Sequence, residues 1–225
     1  MSAQYRGLNL VILGPPGSGK GTQAKVLCER YSIPHISTGD ILREEVRFGT
    51  DLGLQARAAM ERGELVPDRL VAGIILRRLD QDDCARGFIL DGFPRTVEQA
   101  GMLDDLLAEL GRSLELALLV TVDDRELIRR LAGRRSCPDC GCVYHVDNKP
   151  ALDGRNCDIC SVELIQREDD AEAVVRDRLS LYRVKTSPVA EYYQRRGMLA
   201  KVAGDRAVAE VTESLLEAIG GPVAV

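Results

Sequence analysis

The chain has no tryptophan, only three phenylalanines and two histidines among 225 residues, and aromatic side chains make up 4% of it. It has no excess of positive charge either: 30 Lys and Arg stand against 35 Asp and Glu, a formal net charge of −5. A domain that binds nucleic acid is ordinarily basic, so this balance argues against that partner. Uninterrupted apolar stretches are short, and none approaches the roughly 20 residues of a membrane-spanning helix, which argues against a membrane partner. The N-terminal MSAQYRGLNLVILGPPG holds one brief apolar run and no small-residue cleavage site. No secretory signal is expected from it, and a cytoplasmic location follows by default. What the chain does contain is 45% hydrophobic and 29% charged residues, the mixture of a globular protein able to bury a sizeable core.

Apolar runs alternate with segments of helical periodicity. LNLVIL (Leu8–Leu13) stops at Gly14-Pro15-Pro16, as a strand buried on both faces would, and GFILDGFP (Gly87–Pro94), LELALLVTV (Leu114–Val122) and Met198–Ala203 repeat that pattern. Helices are expected over 20–30, 40–48, 51–61, 68–79, 124–131 and 207–219, with a longer pattern over 171–196 interrupted at Pro188. Ser37 with Asp40 forms a capping pattern, and Pro67 stands where a first helical turn opens. Such alternation predicts an α/β fold, a parallel sheet flanked by helices with ligands at the carboxyl ends of the strands. Two stretches break the rhythm: a helical pair at 37–66 and a cysteine-rich piece at 134–168. Both read as insertions able to move over a core made of 1–36, 67–133 and 169–225.

Between the first strand and the first helix the chain reads GPPGSGKGT, Gly14 to Thr22. Gly14, Gly19 and Lys20 satisfy the Gly-x4-Gly-Lys frame of a phosphate-binding loop, where backbone N–H groups and a helix N-terminus surround an anion. Gly17, Gly19 and Gly21 let the backbone approach phosphate oxygens with no Cβ in the way, and Lys20 offers a cation to the β/γ oxygens. The frame normally continues with a Ser or Thr that ligates Mg²⁺. Here Gly21 takes that place and the hydroxyl is delayed to Thr22.

Cys28 and Cys84 stand alone and read as small buried apolar residues. The other five cysteines crowd into CPDCGCVYHVDNKPALDGRNCDIC. Cys137-x2-Cys140 and Cys157-x2-Cys160 form two knuckles with the spacing of a tetrahedral Zn²⁺ site. In a reducing compartment such a cluster is more often metal-binding than disulfide-bonded. Four thiolates leave no open position, so the metal would be structural, making up for the little core that so short and polar a segment can bury. Cys142 is a fifth thiol at a poorer spacing, and His145 reads either as a further ligand or as a residue packed within the segment.

GxPGxGKGT resembles the loop of nucleoside monophosphate kinases. STGDILR (Ser37–Arg43), GELVPD (Gly63–Asp68), DGFPRTVEQA (Asp91–Ala100), LAGRR (Leu131–Arg135), and QREDD with VRDRL (Gln166–Leu179) follow in the order and spacing of adenylate kinases. The cysteine segment is similar to the zinc-bearing lid of the long-lid members, so the resemblance covers nearly the whole chain. It implies a P-loop NTPase-type sheet with a helical NMP-binding insertion at 37–66 and a zinc-binding lid at 134–168. It also implies a monomer carrying out a reversible, Mg²⁺-dependent transfer from ATP to AMP.

The residue roles carried by that resemblance are these. Gly17, Ser18, Gly19, Lys20, Gly21, Thr22, Arg134, Val143, Tyr144 and Arg206 would bind ATP. Thr38, Arg43, Glu64, Leu65, Val66, Gly92, Phe93, Pro94, Arg95, Gln99, Arg167 and Arg178 would bind AMP. Lys20, Arg95, Arg130, Arg134, Arg167 and Arg178 would hold the phosphates in flight, and Asp91 would orient a water-rich Mg²⁺ shell. Cys137, Cys140, Cys157 and Cys160 would hold Zn²⁺. Arginine suits this task because its planar fork matches phosphate geometry. Asp169 and Asp170 are expected to pair with arginines of the core or lid. Two alternatives stay open at this point: another monophosphate acceptor (CMP, UMP or GMP), and a zinc-ribbon adaptor with a vestigial loop.

Overall fold

The computed structural model describes residues 7–62 and 64–220. Gly63 of the GELVPD motif therefore lies outside the described residues. Five strands, β1 (Leu8–Leu13), β2 (His35–Ser37), β3 (Gly87–Asp91), β4 (Leu116–Thr121) and β7 (Leu199–Ala203), form one parallel sheet in the order β2-β3-β1-β4-β7. Nine α-helices are found among the described residues: α1 (Lys20–Tyr31), α2 (Thr38–Phe48), α3 (Asp51–Glu61), α4 (Asp68–Leu79), α5 (Val97–Glu109), α6 (Asp124–Ala132), α7 (Glu172–Leu181), α8 (Ser187–Arg195) and α9 (Val208–Ile219). None of these helices is long and apolar enough to cross a membrane. A separate antiparallel pair, β5 (Arg134–Ser136) and β6 (Val143–His145), belongs to the cysteine segment.

The continuous apolar runs are explained by two-sided burial. Along β1, Val11 and Leu13 join one buried cluster while Leu10 and Ile12 join the other. β3 and β4 split in the same way, with Leu90 and Leu119 on one face and Ile89 and Leu118 on the opposite one. Side chains alternate across a strand, so a central strand covered by helices on both faces needs apolar residues at every position. The first cluster is roofed by residues of α4, α5 and α8, and the second by α1 and α9. Because all strands run the same way, their carboxyl ends at Leu13, Ser37, Asp91 and Thr121 share one edge. Everything placed just after those residues meets above that edge.

Besides β5 and β6 of the cysteine segment, two elements extend the sequence expectation. β2 is a three-residue edge strand, too short for any periodicity to register, and α5 follows the Thr96 cap, whose hydroxyl accepts the Gln99 N–H. The 171–196 pattern is not interrupted at Pro188 as expected: the division falls at Tyr182–Thr186, and Pro188 lies in the first turn of α8, where a missing N–H is tolerated. The widened turn Tyr182–Thr186 absorbs the join between α7 and α8.

Candidate functional site

The sheet edge is capped by the glycine loop. Gly17 and Gly19 adopt left-handed φ values of 85° and 89°, and Gly19 precedes α1 with no side chain capping that helix. At Gly17 an added Cβ would also meet the Leu127 carbonyl oxygen at 3.1 Å. The first turn of α1 carries no acidic residue, so its N–H groups and positive dipole end face the cleft without local compensation. Ser18 is buried inside the loop, and Thr22 donates its backbone N–H to Gly19 at 3.0 Å.

Cations converge on this turn from several elements. Lys20 opens α1, Arg43 comes from α2, Arg95 follows β3, Arg134 opens β5, Arg167 leaves the cysteine segment, and Arg178 belongs to α7. Burial lowers Lys20 to about 8 against the attraction of Asp91, with Arg95, Arg178 and Arg134 adding repulsion. Burial likewise lowers Arg95 to about 10, helped by Arg178 and opposed by Asp91, and Arg167 to about 10, helped by Arg43 and Arg134. Arg178 is pushed down as well, by burial and by Arg134, against the pull of Asp169 and Asp170. Cations that depress one another in this way lack enough anions of their own.

The carboxylates present act as holders. Arg134 donates Nε–H to Asp170 at 2.7 Å and forms a second hydrogen bond to the same carboxylate, which is 1% exposed. Arg178 donates to the Asp169 carbonyl at 2.7 Å and pairs with both aspartates. Arg43 pairs with Asp40, whose carboxyl is raised by burial but held down to about 2, chiefly by Arg43. Arg130 is held by Glu126 at 2.7 Å and donates to the Gly204 carbonyl at 3.0 Å. Arg167 donates Nε–H to Ser136 Oγ at 2.9 Å.

Asp91 ends β3, 8% exposed, with Oδ2 3.4 Å from Nε2 of His35. Burial pushes its carboxyl up, but the imidazole of His35 and the charge of Lys20 hold it below the ordinary carboxylate value. The missing side chain at Gly21 finds its reason here: a Cβ at that position would lie 3.2 Å from Asp91 Oδ2. The glycine where a hydroxyl is customary therefore brings the carboxylate of β3 up to the loop.

Two cavities open beside this cluster. The first is lined by Thr38, Arg43, Met60, Glu64, Leu65, Val66, Gly92, Arg95, Gln99 and Arg178. The second is lined by Gly14, Pro16, Lys20, Pro94, Tyr182 and Thr186 together with Leu65, Gly92, Arg95 and Arg178. The shared residues make them neighbours that meet at two guanidinium groups. Thr38 reaches back to the Asp91 carbonyl at 3.3 Å. The Gln99 amide is occupied at both ends, accepting the Arg95 N–H at 2.7 Å and donating to Asp68 at 2.6 Å. Phe93 is fully buried beneath the same turn.

Two expected nucleotide residues have their side chains engaged elsewhere. Tyr144 is 5% exposed and its hydroxyl meets Cys157. Arg206 lies on the surface and donates to Ser214 Oγ at 3.0 Å. Val143 precedes Tyr144 on β6 and is partly exposed. Sequence reasoning missed the residues that hold others, such as His35 against Asp91, Asp68 on Gln99 and Ser136 under Arg167. Only strand pairing reveals the first, since β2 places His35 beside β3.

In the cysteine segment, Cys137, Cys140, Cys157 and Cys160 bring their sulfurs within 4.8 Å of one another, and all are free thiols. The Cys137–Cys160, Cys140–Cys157 and Cys140–Cys160 separations are 3.2, 3.4 and 3.7 Å. A tetrahedral zinc site with Zn–S bonds of about 2.3 Å has sulfurs about 3.8 Å apart, so these residues fit the ion with small adjustments. Cys142 stands outside the group, as does His145, whose Nδ1 accepts the N–H groups of Asp147 at 3.0 Å and Asn148 at 3.2 Å.

A buried ring of under-compensated cations over the strand tips of a parallel sheet, entered through a glycine loop, defines a P-loop protein that handles nucleotide phosphates. Comparison with known families narrows the class: the adenylate kinase profile matches residues 12–198. The chain is 48% identical over 213 residues to an adenylate kinase of Caldicellulosiruptor saccharolyticus, covering 95% of this chain and 99% of that one. It is 48% identical over 215 residues to one from Archaeoglobus fulgidus (94% and 99% covered) and 50% identical over 212 residues to one from Geobacter sp. strain M21 (94% and 99% covered). This chain belongs to the adenylate kinase family.

Proposed function

We propose that the protein catalyses the reversible reaction of MgATP with AMP to give two ADP, with the triphosphate on the Lys20 side of the cleft and the monophosphate in the cavity beside Thr38. The observation that carries this reading is the junction of two adjoining cavities at Arg95 and Arg178. A nucleotide in each would put its phosphates against the same two guanidinium groups. An AMP phosphate oxygen attacks the γ-phosphorus, the bond to the β–γ bridging oxygen breaks, and ADP leaves carrying that oxygen's charge. Near neutral pH the attacking phosphate is largely dianionic, its second pKa being about 6, so no general base is needed. The chain's contribution is alignment and charge stabilisation.

Lys20, Arg43, Arg95, Arg130, Arg134, Arg167 and Arg178 supply the cations. Their partners Asp169, Asp170, Glu126 and Ser136 keep the guanidinium planes ordered before substrate arrives. Mg²⁺ carried with ATP would neutralise phosphate oxygens, and Asp91, whose carboxyl is held below the ordinary carboxylate value, would hold it through water. Four-thiolate zinc at Cys137, Cys140, Cys157 and Cys160 would brace the lid at 134–168. We further read the 37–66 and 134–168 segments as parts that close over the nucleotides and exclude water, which would otherwise accept the phosphoryl group. The protein is read as a cytoplasmic monomer acting on free nucleotides, with no nucleic-acid or membrane partner.

Incubating the protein with MgATP and each of AMP, CMP, UMP and GMP tests the reading. ADP formation should be fastest with AMP. Equal or faster transfer to a pyrimidine monophosphate, or ATP hydrolysis without transfer, would overturn it.

A further inference from the structure

The Tyr144 hydroxyl lies 3.4 Å from Cys157 Sγ and accepts the Asp158 backbone N–H at 2.9 Å. With an oxygen lone pair already engaged, its one proton is free for the sulfur, and a thiolate can only accept. The ring is packed with Cys137, Ala151 and Cys157 in the small apolar cluster of the lid, so little water competes for that proton. Tyr144 stands on β6, paired across the ladder with Arg135, while Arg134 pairs with His145 and Ser136 with Val143. Ser136 in turn accepts from Arg167. The residue touching the sulfur is thus held in the same two-stranded ladder as Arg134 and the holder of Arg167.

We propose that Tyr144 is a positioning residue of the metal centre: its phenolic O–H donates to the Cys157 thiolate, and through the β5–β6 ladder it ties metal occupancy to the placement of Arg134 and Arg167. This inference rests on the four-thiolate reading of the lid. Partners of this kind fix the orientation of a ligand and tune its donor strength, and their loss typically weakens metal binding about 10- to 100-fold.

Tyr144→Phe keeps the ring and deletes only the hydroxyl. Zinc transfer from the folded protein to a chromogenic chelator should be about tenfold faster or more for this variant than for the parent. In the cobalt-substituted protein its sulfur-to-metal charge-transfer band should move to lower energy, because a thiolate without a hydrogen-bond donor holds its electrons less tightly. Amide exchange at 134–136 should quicken in the zinc-loaded variant. Lys149→Met, which removes the cation 5.7 Å from the Tyr144 ring centre, should behave as the parent in all three measurements. A parent protein that holds no metal overturns the four-thiolate reading and this inference together. A parent with one equivalent, beside a Tyr144→Phe protein with unchanged release or an unmoved charge-transfer band, overturns the inference alone.

Discussion

The glycine loop at 14–22 and the segment at 134–168, proposed above as a lid, each gather groups of one kind, and they are held in opposite ways. The loop hangs from β1, where Leu10, Val11 and Ile12 are at most 1% exposed, and its backbone is locked between α1 and α6. The sheet supplies the stability, which leaves the site free to accumulate repelling cations. That segment has only Cys137, Tyr144, Ala151 and Cys157 as its buried apolar cluster, and two of those four belong to the four-thiol group. It exposes Leu152 and Ile159 at 94% and 72%. One region is a finished scaffold that gathers more cations than anions; the other is a cluster of four thiols whose scaffold, on the zinc reading proposed above, is the ion they would bind.

The sharpest separation of the two comes from the loop. Lys20→Met should lower kcat/KM by roughly 10³-fold, the scale on which phosphate-stabilising groups act. It should leave the apo melting temperature unchanged or raised, because it removes a cation whose charged form is disfavoured by burial and by Arg95, Arg178 and Arg134. Activity measurements beside thermal denaturation decide it; a lowered melting temperature would mean that the loop depends on its lysine for structure.

The lid should show the reverse pattern. Stripping the metal with a chelator should cost on the order of tenfold in activity and open 134–168 to proteolysis, while the far-ultraviolet signal of the sheet and its helices persists. Loss of that signal together with the metal would erase the distinction between the two regions.

A smaller effect is expected from pH. Lys20 binds phosphate as the cation, and in the empty protein burial holds it to about 8. Raising the pH through that value therefore lowers kcat/KM for ATP. It also relieves the penalty of a buried charge, so the apo protein gains stability from about pH 8 up to the lysine's ordinary value of 10.5. Bound triphosphate raises the lysine again, so kcat should hold to higher pH, and binding above pH 8 should take up protons in a calorimeter. Equal pH profiles for kcat and kcat/KM would contradict the assignment.

The smallest expected effect lies where the lid meets the 37–66 segment. Arg47, on α2, donates to the Pro138 carbonyl at 3.2 Å and lies 3.6 Å from Asp139, between two of the cysteine ligands. Both side chains are more than half exposed, and such pairs contribute about 0–1 kcal/mol. Arg47→Ala should change the Michaelis constants by about fivefold at most on that scale, with little change in metal affinity. A tenfold loss of metal would mean that the lid does not stand on its thiolates alone.

Much of this protein could be read from its residues in order, because the features concerned are local. A strand running into Gly14-Pro15-Pro16-Gly17, the Lys20 that opens α1, the apolar runs of β1, β3 and β4, and two Cys-x2-Cys knuckles each express a short-range rule of backbone geometry or coordination. The three-residue β2 lay below any periodic signal, and α5 shows itself fully only with its Thr96 cap and packed face. The sequence by itself determined which chemical groups are available: a phosphate loop, a surplus of arginines within the motifs, and four paired thiols. Only the tertiary structure decided which carboxylate holds which arginine, that Gly21 makes room for Asp91, that the Gln99 amide is held at both ends, and that the Tyr144 hydroxyl meets a cysteine sulfur. Arg43 with Asp40 and Arg130 with Glu126 are neighbours one helical turn apart, but Arg134 with Asp170, Gln99 with Asp68 and Gly21 beside Asp91 join distant parts of the chain, and their choice depends on how the elements pack around one sheet edge, which no local spacing encodes.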